Sequence, residues 1–480
     1  MLAELRETAI RRLGELLDAA PDVADQIAAL ERAGVAPEKL FAAALKRRGA
    51  APAARPPALD GSWAAALRTG RVAASLHSLV VDNGAVYGFG FDPLGAPRRG
   101  ARHAPRALPG LAGRAVSAAA GWGFSLALTD DGAVHGGGRG FSPGSLAAVA
   151  GLGAVRVAMV AAGAAHALCL DDAGRVWSLG CGDDGRLGRG PDRDPAPAVV
   201  AGVADARHVA AGACHSLAAT ATGRVYSWGH AGAGRLGRGP PAWPEEPAPK
   251  PVAVAVAVAA VAAGKYHSLA VAADGSLYAF GDNSYGQLGL GGDDDAFEPA
   301  RVDLPAGAVV VAAAAGGSHS VVLLEGGDVL GFGSNADGQL GELEDVEDVE
   351  SDGDGDSDGD SDDADGASSG DDASDASDES DGSDETAAEV WTPTRIAGLC
   401  GRGVVEVAAG GDATGDAGHT LAVTKAGAVF ALGAGQHGQL GAGLPRAAAP
   451  VPVAIPAAAA PPRARRGQAW AAKRKTKSKQ

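Results

Sequence analysis

Residues 262–291 read AAGKYHSLAVAADGSLYAFGDNSYGQLGLG, and the same pattern is written seven times between residues 72 and 443. A marker residue (His77, Phe124, His166, His215, His267, His319, His419) precedes a turn glycine by eight positions in every copy except the first, where the spacing is seven. That glycine (Gly84, Gly132, Gly174, Gly223, Gly275, Gly327, Gly427) precedes a second glycine by six positions in all seven copies. A fixed internal period of this kind makes the chain an array of like units. Function then belongs to the faces of the array and to whatever departs from the repeat.

Each segment of the copy has a physical reading. Residues 267–271 predict a strand, and Asp274-Gly275 supplies the positive φ angles of a tight hairpin. The return segment 277–281 alternates large and small residues, as a strand does. Two strands alone are marginal in water. A third is expected in the Val-rich run 254–261 and a fourth in the Pro-x-x-Val segment 299–302. Four short strands per unit is the signature of a propeller blade, so the expected fold is all-β: a seven-bladed β-propeller over 62–460. Residues 452–456 read as a lone Pro-x-x-Val strand able to complete a blade begun near the N-terminus.

The Ala-Ala-Gly-x-x-His-Ser turn, the Asp-Gly hairpin and the Gly-Gln-Leu-Gly closing turn together resemble the regulator of chromosome condensation repeat family. The closing turn stands complete at 286–289, 338–341 and 438–441, and with Arg in place of Gln at 185–188 and 234–237. The resemblance covers about three quarters of the chain and itself implies a seven-bladed propeller. WD-repeat and kelch propellers fit less well, since no periodic Trp-Asp pair or recurrent double glycine occurs.

The chain has 480 residues, 46% of them hydrophobic and only 4% aromatic, so its core is built mainly from Ala and Val. No uninterrupted apolar run predicts a membrane-spanning helix. The first residues carry acids and no apolar h-region, which argues against a secretory signal or transit peptide. Four cysteines form no Cys-x-x-Cys pair and read as the reduced thiols of an intracellular protein.

Charge lies in blocks. Residues 342–389 hold 23 acids and no Lys or Arg, while 463–479 hold 8 bases and no acid. Setting both blocks aside takes the formal net charge from −17 to −2, so the propeller is nearly neutral. The acidic block reads as a disordered loop inserted in the sixth copy. Ser351, Ser357, Ser368 and Ser369, each with an acid three positions on, suit acid-directed kinases. A calcium-loop spacing at Asp354, Asp356, Asp358 and Asp365 lacks flanking helices and is a product of the Ser-Asp-Gly repetition; no metal and no cofactor is expected. Residues 1–48 read as a small helical segment with apolar stripes, joined by a Pro-rich linker at 49–61. The basic tail 461–480 reads as a nuclear import signal at Lys473, Arg474, Lys475 and Lys477, with weak nonspecific nucleic-acid contact. The expected location is the nucleus, with the cytoplasm as the alternative.

No Ser/His/Asp constellation, phosphate loop or metal motif points to covalent catalysis, so no catalytic residue is assigned. Histidines recurring with blade symmetry would spread around a ring rather than converge, each bonding its own blade's turn. What the resemblance implies is guanine-nucleotide exchange on a Ran-type or other small GTPase, through the face bearing the Gly-x-x-His turns. Carried over by position, the partner contacts are His77, His166, His215, Lys265, His267, Ser318, His319, Asp412 and His419. The early turns depart from that family pattern in lacking acids, and no wedge-like insertion stands between Gly188 and Val209. The family's ultraviolet-sensing branch needs tryptophans repeated in this turn, and here only Trp122 qualifies. A scaffold that binds histones or chromatin through the face and the acidic loop is the alternative.

Overall fold

A computed structural model describes residues 71–91, 94, 102–241, 243–343, 389–411 and 418–456. The expected N-terminal helices (1–48), the linker (49–61), acidic residues 344–388, Asp412 and the basic tail (461–480) lie outside the described residues. Among the described residues, twenty-eight strands form seven four-stranded antiparallel sheets, each built from four consecutive strands in simple up-and-down order. Blades 1 to 7 span 72–107, 115–148, 157–199, 206–252, 258–301, 310–395 and 404–452. The innermost strand of each blade neighbours that of the next, and blade 7 returns to blade 1. The fold is a seven-bladed β-propeller.

Blade 5 shows why the sequence folds this way. Its strands are Val258–Ala263, His267–Ala272, Leu277–Gly281 and Ala296–Arg301. The first begins four residues later than the Val-rich run implied, because Val254 N–H turns back to the carbonyl of Val252. The fourth ends before Val302, whose buried side chain enters the core instead. Every residue of 267–272 is buried, since alternate side chains enter opposite seams. Leu269, Val271 and Leu277 pack toward blade 6, whereas Ala270 and Phe280 pack toward blade 4.

The hairpins explain the one irregular spacing. In the blade 5 hairpin, 273–276, only Gly275 has positive φ (84°), and its N–H bonds the carbonyl of Ala272 at 3.0 Å. The connection is therefore a three-residue loop closed by a left-handed glycine, not the two-residue turn expected from Asp-Gly. Blade 1 does use the two-residue form: Asn83 (φ 49°) and Gly84 (φ 82°) are both left-handed, and Asp82 pairs with Ala85. One fewer loop residue gives the spacing of seven.

Seven apolar clusters form the core, one at each seam between blades. At the seam joining blades 5 and 6, Leu288 of the Gly-Gln-Leu-Gly turn inserts beside Leu330 and Phe332 of the next blade. Full burial of one such aromatic is worth about 3 kcal/mol. A Cβ at Gly289 would meet the Phe332 ring at 2.9 Å, so the closing turn lies directly on its neighbour's aromatic. The same contact recurs between Gly188 and Trp228 and between Gly237 and Phe280.

Ring closure differs from the expectation. Blade 7 is complete in itself: its fourth strand, Arg446–Pro452, pairs with Val429–Ala434 and lends nothing to blade 1. The seam is closed by packing, with Val453 and Ile455 beside Val72, Val80 and Phe89. Glu406 adds a polar latch by accepting the Val72 N–H at 3.0 Å.

Candidate protein-interaction face

His267 pairs with Gly281, so the turn entering the second strand and the loop leaving the third share one end of the blade. We call that end of the ring the turn face; the Asp-Gly hairpins mark the opposite, hairpin face. All the histidine markers stand at the turn face, yet their side chains are buried within it.

Each histidine reaches the following blade. Nε2 of His267 lies 2.9 Å from the hydroxyl of Ser320, which donates in turn to the carbonyl of Gln287 in the closing turn, 2.7 Å away. The hydroxyl has one proton and spends it on the carbonyl, so the imidazole donates from Nε2. The same three-part link joins His166, Ser216 and Arg186; His215, Ser268 and Arg235; His319, Thr420 and Gln339; and His419, Ser78 and Gln439. His77 meets Ser125 at 2.9 Å. Burial drives the pKa of His77, His166, His267, His319 and His419 down to about 3 and that of His215 well below its ordinary value. The rings are neutral, with Nδ1 left without a partner.

The Ala-Ala-Gly turn exists to admit this ring. A Cβ on Gly264 would collide with the His267 imidazole and, at 2.7 Å, with the carbonyl oxygen of Gly316. Phe124 tests the logic. At that seam His becomes Phe, the acceptor position in the next blade is Ala167 rather than Ser, and blade 2 has no Gly-x-Leu-Gly turn to offer a carbonyl. Phe124, Phe141 and Ala167 pack there as apolar surface. Every polar member of the link is absent together.

The expected contact residues therefore divide. The six histidines are not surface groups but interblade bolts, and they bond the next blade rather than their own turn. Lys265 and Ser318 are also buried, and Lys265 Nζ sits 4.8 Å from the Tyr266 ring centroid. Asp412 lies outside the described residues. The sequence reading missed what the turn face does expose: Phe91, Trp243, Tyr266, Tyr285 and Leu444, five of the seven large exposed apolar side chains among the described residues. Their signal was that they occupy loop positions where the other copies carry something else.

The central channel opens among the Ala-Ala-Gly turns of blades 2 to 7 and the Ala-Ala-Ser turn of blade 1, and encloses about 60 Å³. A small-molecule site needs roughly 300 Å³ or more, so the channel mouth does not form one. Buried Cys169 has its thiol pushed up to about 12, which leaves it unreactive. Among the described residues no group of His, Cys, Asp and Glu is arranged to hold a metal, and no helix is long and apolar enough to cross a membrane.

The RCC1-like domain model matches residues 141–469. The chain belongs to the RCC1-like domain family. The human probable E3 ubiquitin-protein ligase HERC4 is 38% identical over 291 residues, covering 60% of this chain and 23% of that protein. The chain thus spans about a quarter of the length of that relative. Among solved structures, human WBSCR16 is 25% identical with a TM-score of 0.58, covering 78% of this chain and 94% of that one. Prp20p from Saccharomyces cerevisiae, whose structure is described with its binding properties to Gsp1p and histones, is 21% identical with a TM-score of 0.61. That likeness covers 79% of this RCC1-like chain and 87% of Prp20p and speaks for the fold.

Proposed function

We propose that this RCC1-like propeller binds a protein partner through its turn face, most specifically as a guanine-nucleotide exchange factor for a Ran-type or other small GTPase. The observation carrying this reading is the concentration of exposed Trp243, Tyr266, Tyr285, Phe91 and Leu444 on one face. Aromatic side chains of this kind anchor protein interfaces. RCC1-like propellers serve as exchange factors or interaction scaffolds rather than covalent catalysts, and exchange needs a rigid surface that favours the nucleotide-free partner. The test is release of fluorescent GDP from a panel of nuclear and trafficking GTPases. Acceleration of at least one, lost when Trp243 and Tyr285 become Ala, is the expected result; an unaffected panel overturns the exchange reading.

One observation favours the scaffold reading as a second possibility. Glu389, which follows the acidic insertion, stands at the turn-face end and pairs with Ser334, whereas Leu343, which precedes it, bridges Ile396 toward the hairpin end. Deleting 344–388 should abolish capture of histones without lowering the melting temperature, and unchanged capture removes the insertion's role. The reading also carries nuclear import. Replacing Lys473, Arg474, Lys475 and Lys477 with Ala should leave a tagged chain outside the nucleus, and undiminished nuclear accumulation contradicts it.

A further inference from the structure

We infer that the turn face recognises its partner in the sector of blades 4 and 5, and that the segment recognised there is a basic stretch of another protein carrying large apolar side chains. The inference rests on the reading that this face engages protein, and it names the chemistry of what is engaged. Trp243 is 76% exposed, the most exposed large apolar side chain among the described residues. Its loop is continuous with the next blade, since Gly239 N–H bonds the carbonyl of Phe297 at 2.9 Å.

Tyr266 stands on the inner side of the same sector. The Arg235 guanidinium lies 4.5 Å from its ring centroid and the Lys265 ammonium 4.8 Å, both cations being themselves buried. An exposed tyrosine fixed this way needs little further ordering when it binds, which is what makes an effective anchor. Tyr285 completes the patch from the loop of blade 5. That loop folds back on itself through Asn283 N–H to Asp295 Oδ1, 3.0 Å, and carries Asp293 and Asp294 on the same turn-face loop as Tyr285. Both are exposed and make no ion pair or hydrogen bond among the described residues.

Cationic side chains interleaved with apolar ones complement exposed aromatics that share a loop face with unpaired carboxylates. The chain's own basic tail is the competing occupant, and a chain shortened to 1–460 separates the two. The described chain ends at Pro456 on the hairpin face, because Pro452 pairs with Phe430 next to the blade 7 hairpin.

The test uses the full chain and three labelled synthetic peptides: Lys/Arg interleaved with Leu and Phe, Lys/Arg interleaved with Ser, and Glu interleaved with Leu and Phe. Fluorescence anisotropy at physiological ionic strength should rank the first tightest, by about tenfold or more over the second. Trp243→Ala with Tyr285→Ala should erase that advantage while leaving the melting temperature unchanged. Asp293→Asn with Asp294→Asn should weaken the first peptide about threefold, and more at low salt. Equal binding of the first two peptides, or an advantage that survives the aromatic substitutions, overturns the inference. Tighter binding by a chain shortened to 1–460 also overturns it, by making the tail the occupant. Nucleotide release measured on the same variants reports separately on the exchange reading, so failure of one is distinguishable from failure of the other.

Discussion

The seam between blades 5 and 6 and the seam between blades 2 and 3 solve one problem with opposite chemistry. In the first, His267, Ser320 and the Gln287 carbonyl form a buried polar chain. In the second, Phe124 and Ala167 fill the same space with apolar surface. A buried hydroxyl or imidazole without a partner costs about 1–3 kcal/mol, so half a link is worse than either whole solution. The substitutions accordingly come as a set. The repeated histidine is therefore read best as one part of a three-residue joint, and its recurrence reflects ring architecture rather than partner contact.

The largest way to break the contrast is acid, because it attacks only the polar seams. Each of the six histidines is neutral in the folded ring and protonates near 6.5 when unfolded. A folded pKa lowered below the unfolded value means stability is fully present above about pH 6.5 and falls as pH drops toward 3. Six protons give a slope approaching ~8 kcal/mol per pH unit, against a domain stability of about 5–15 kcal/mol. Glu406, raised to about 7 by burial, acts in the opposite sense, but it is one group against six. Circular dichroism should show cooperative unfolding between about pH 6 and pH 4; a melting temperature constant from pH 7 to pH 4 contradicts the assignment.

Single substitutions should come next in size. His267→Ala removes a packed ring and the hydrogen bond it donates to Ser320, at a cost of about 3–4 kcal/mol in chemical denaturation. Gly264→Ala, which drives a methyl into that ring, should cost about 1–3 kcal/mol. The two seams can also be exchanged. Phe124→His alone should destabilise, and adding Ala167→Ser should recover about 1 kcal/mol, a coupling measurable in a double-mutant cycle. Absence of coupling would falsify the joint. The smallest effect belongs to the turn face, where Trp243→Ala should change stability by no more than about 0.5 kcal/mol.

Much of this architecture was legible in the chain. Seven copies, four strands per copy and the alternation of 277–281 followed from spacing alone, because strand period and turn chemistry are local. What escaped notice depended on contacts distant in sequence. His267 and Ser320 are 53 positions apart, and His319 and Thr420 are 101 apart because the acidic insertion intervenes. The missing clue was nonetheless present: the residue after the marker is Ser or Thr in every copy but the third, where Ala167 follows one blade after Phe124. Ring closure was misjudged because Pro452 resembles a stray fourth strand until its pairing with Phe430 is seen. The exposed sector at Trp243 and Tyr285 left no periodic trace, since a surface that singles out one partner must break the repeat.

The most direct test of the account is the side-chain imidazole spectrum by long-range 1H–15N NMR between pH 7.5 and pH 5.5. The chain holds 11 histidines. Six of them, assigned through His→Gln variants, should appear as neutral Nε2–H tautomers with no titration across that range. If those six titrate with midpoints near 6.5, they are solvent-exposed groups, and the claim that the repeat bolts one blade to the next is wrong.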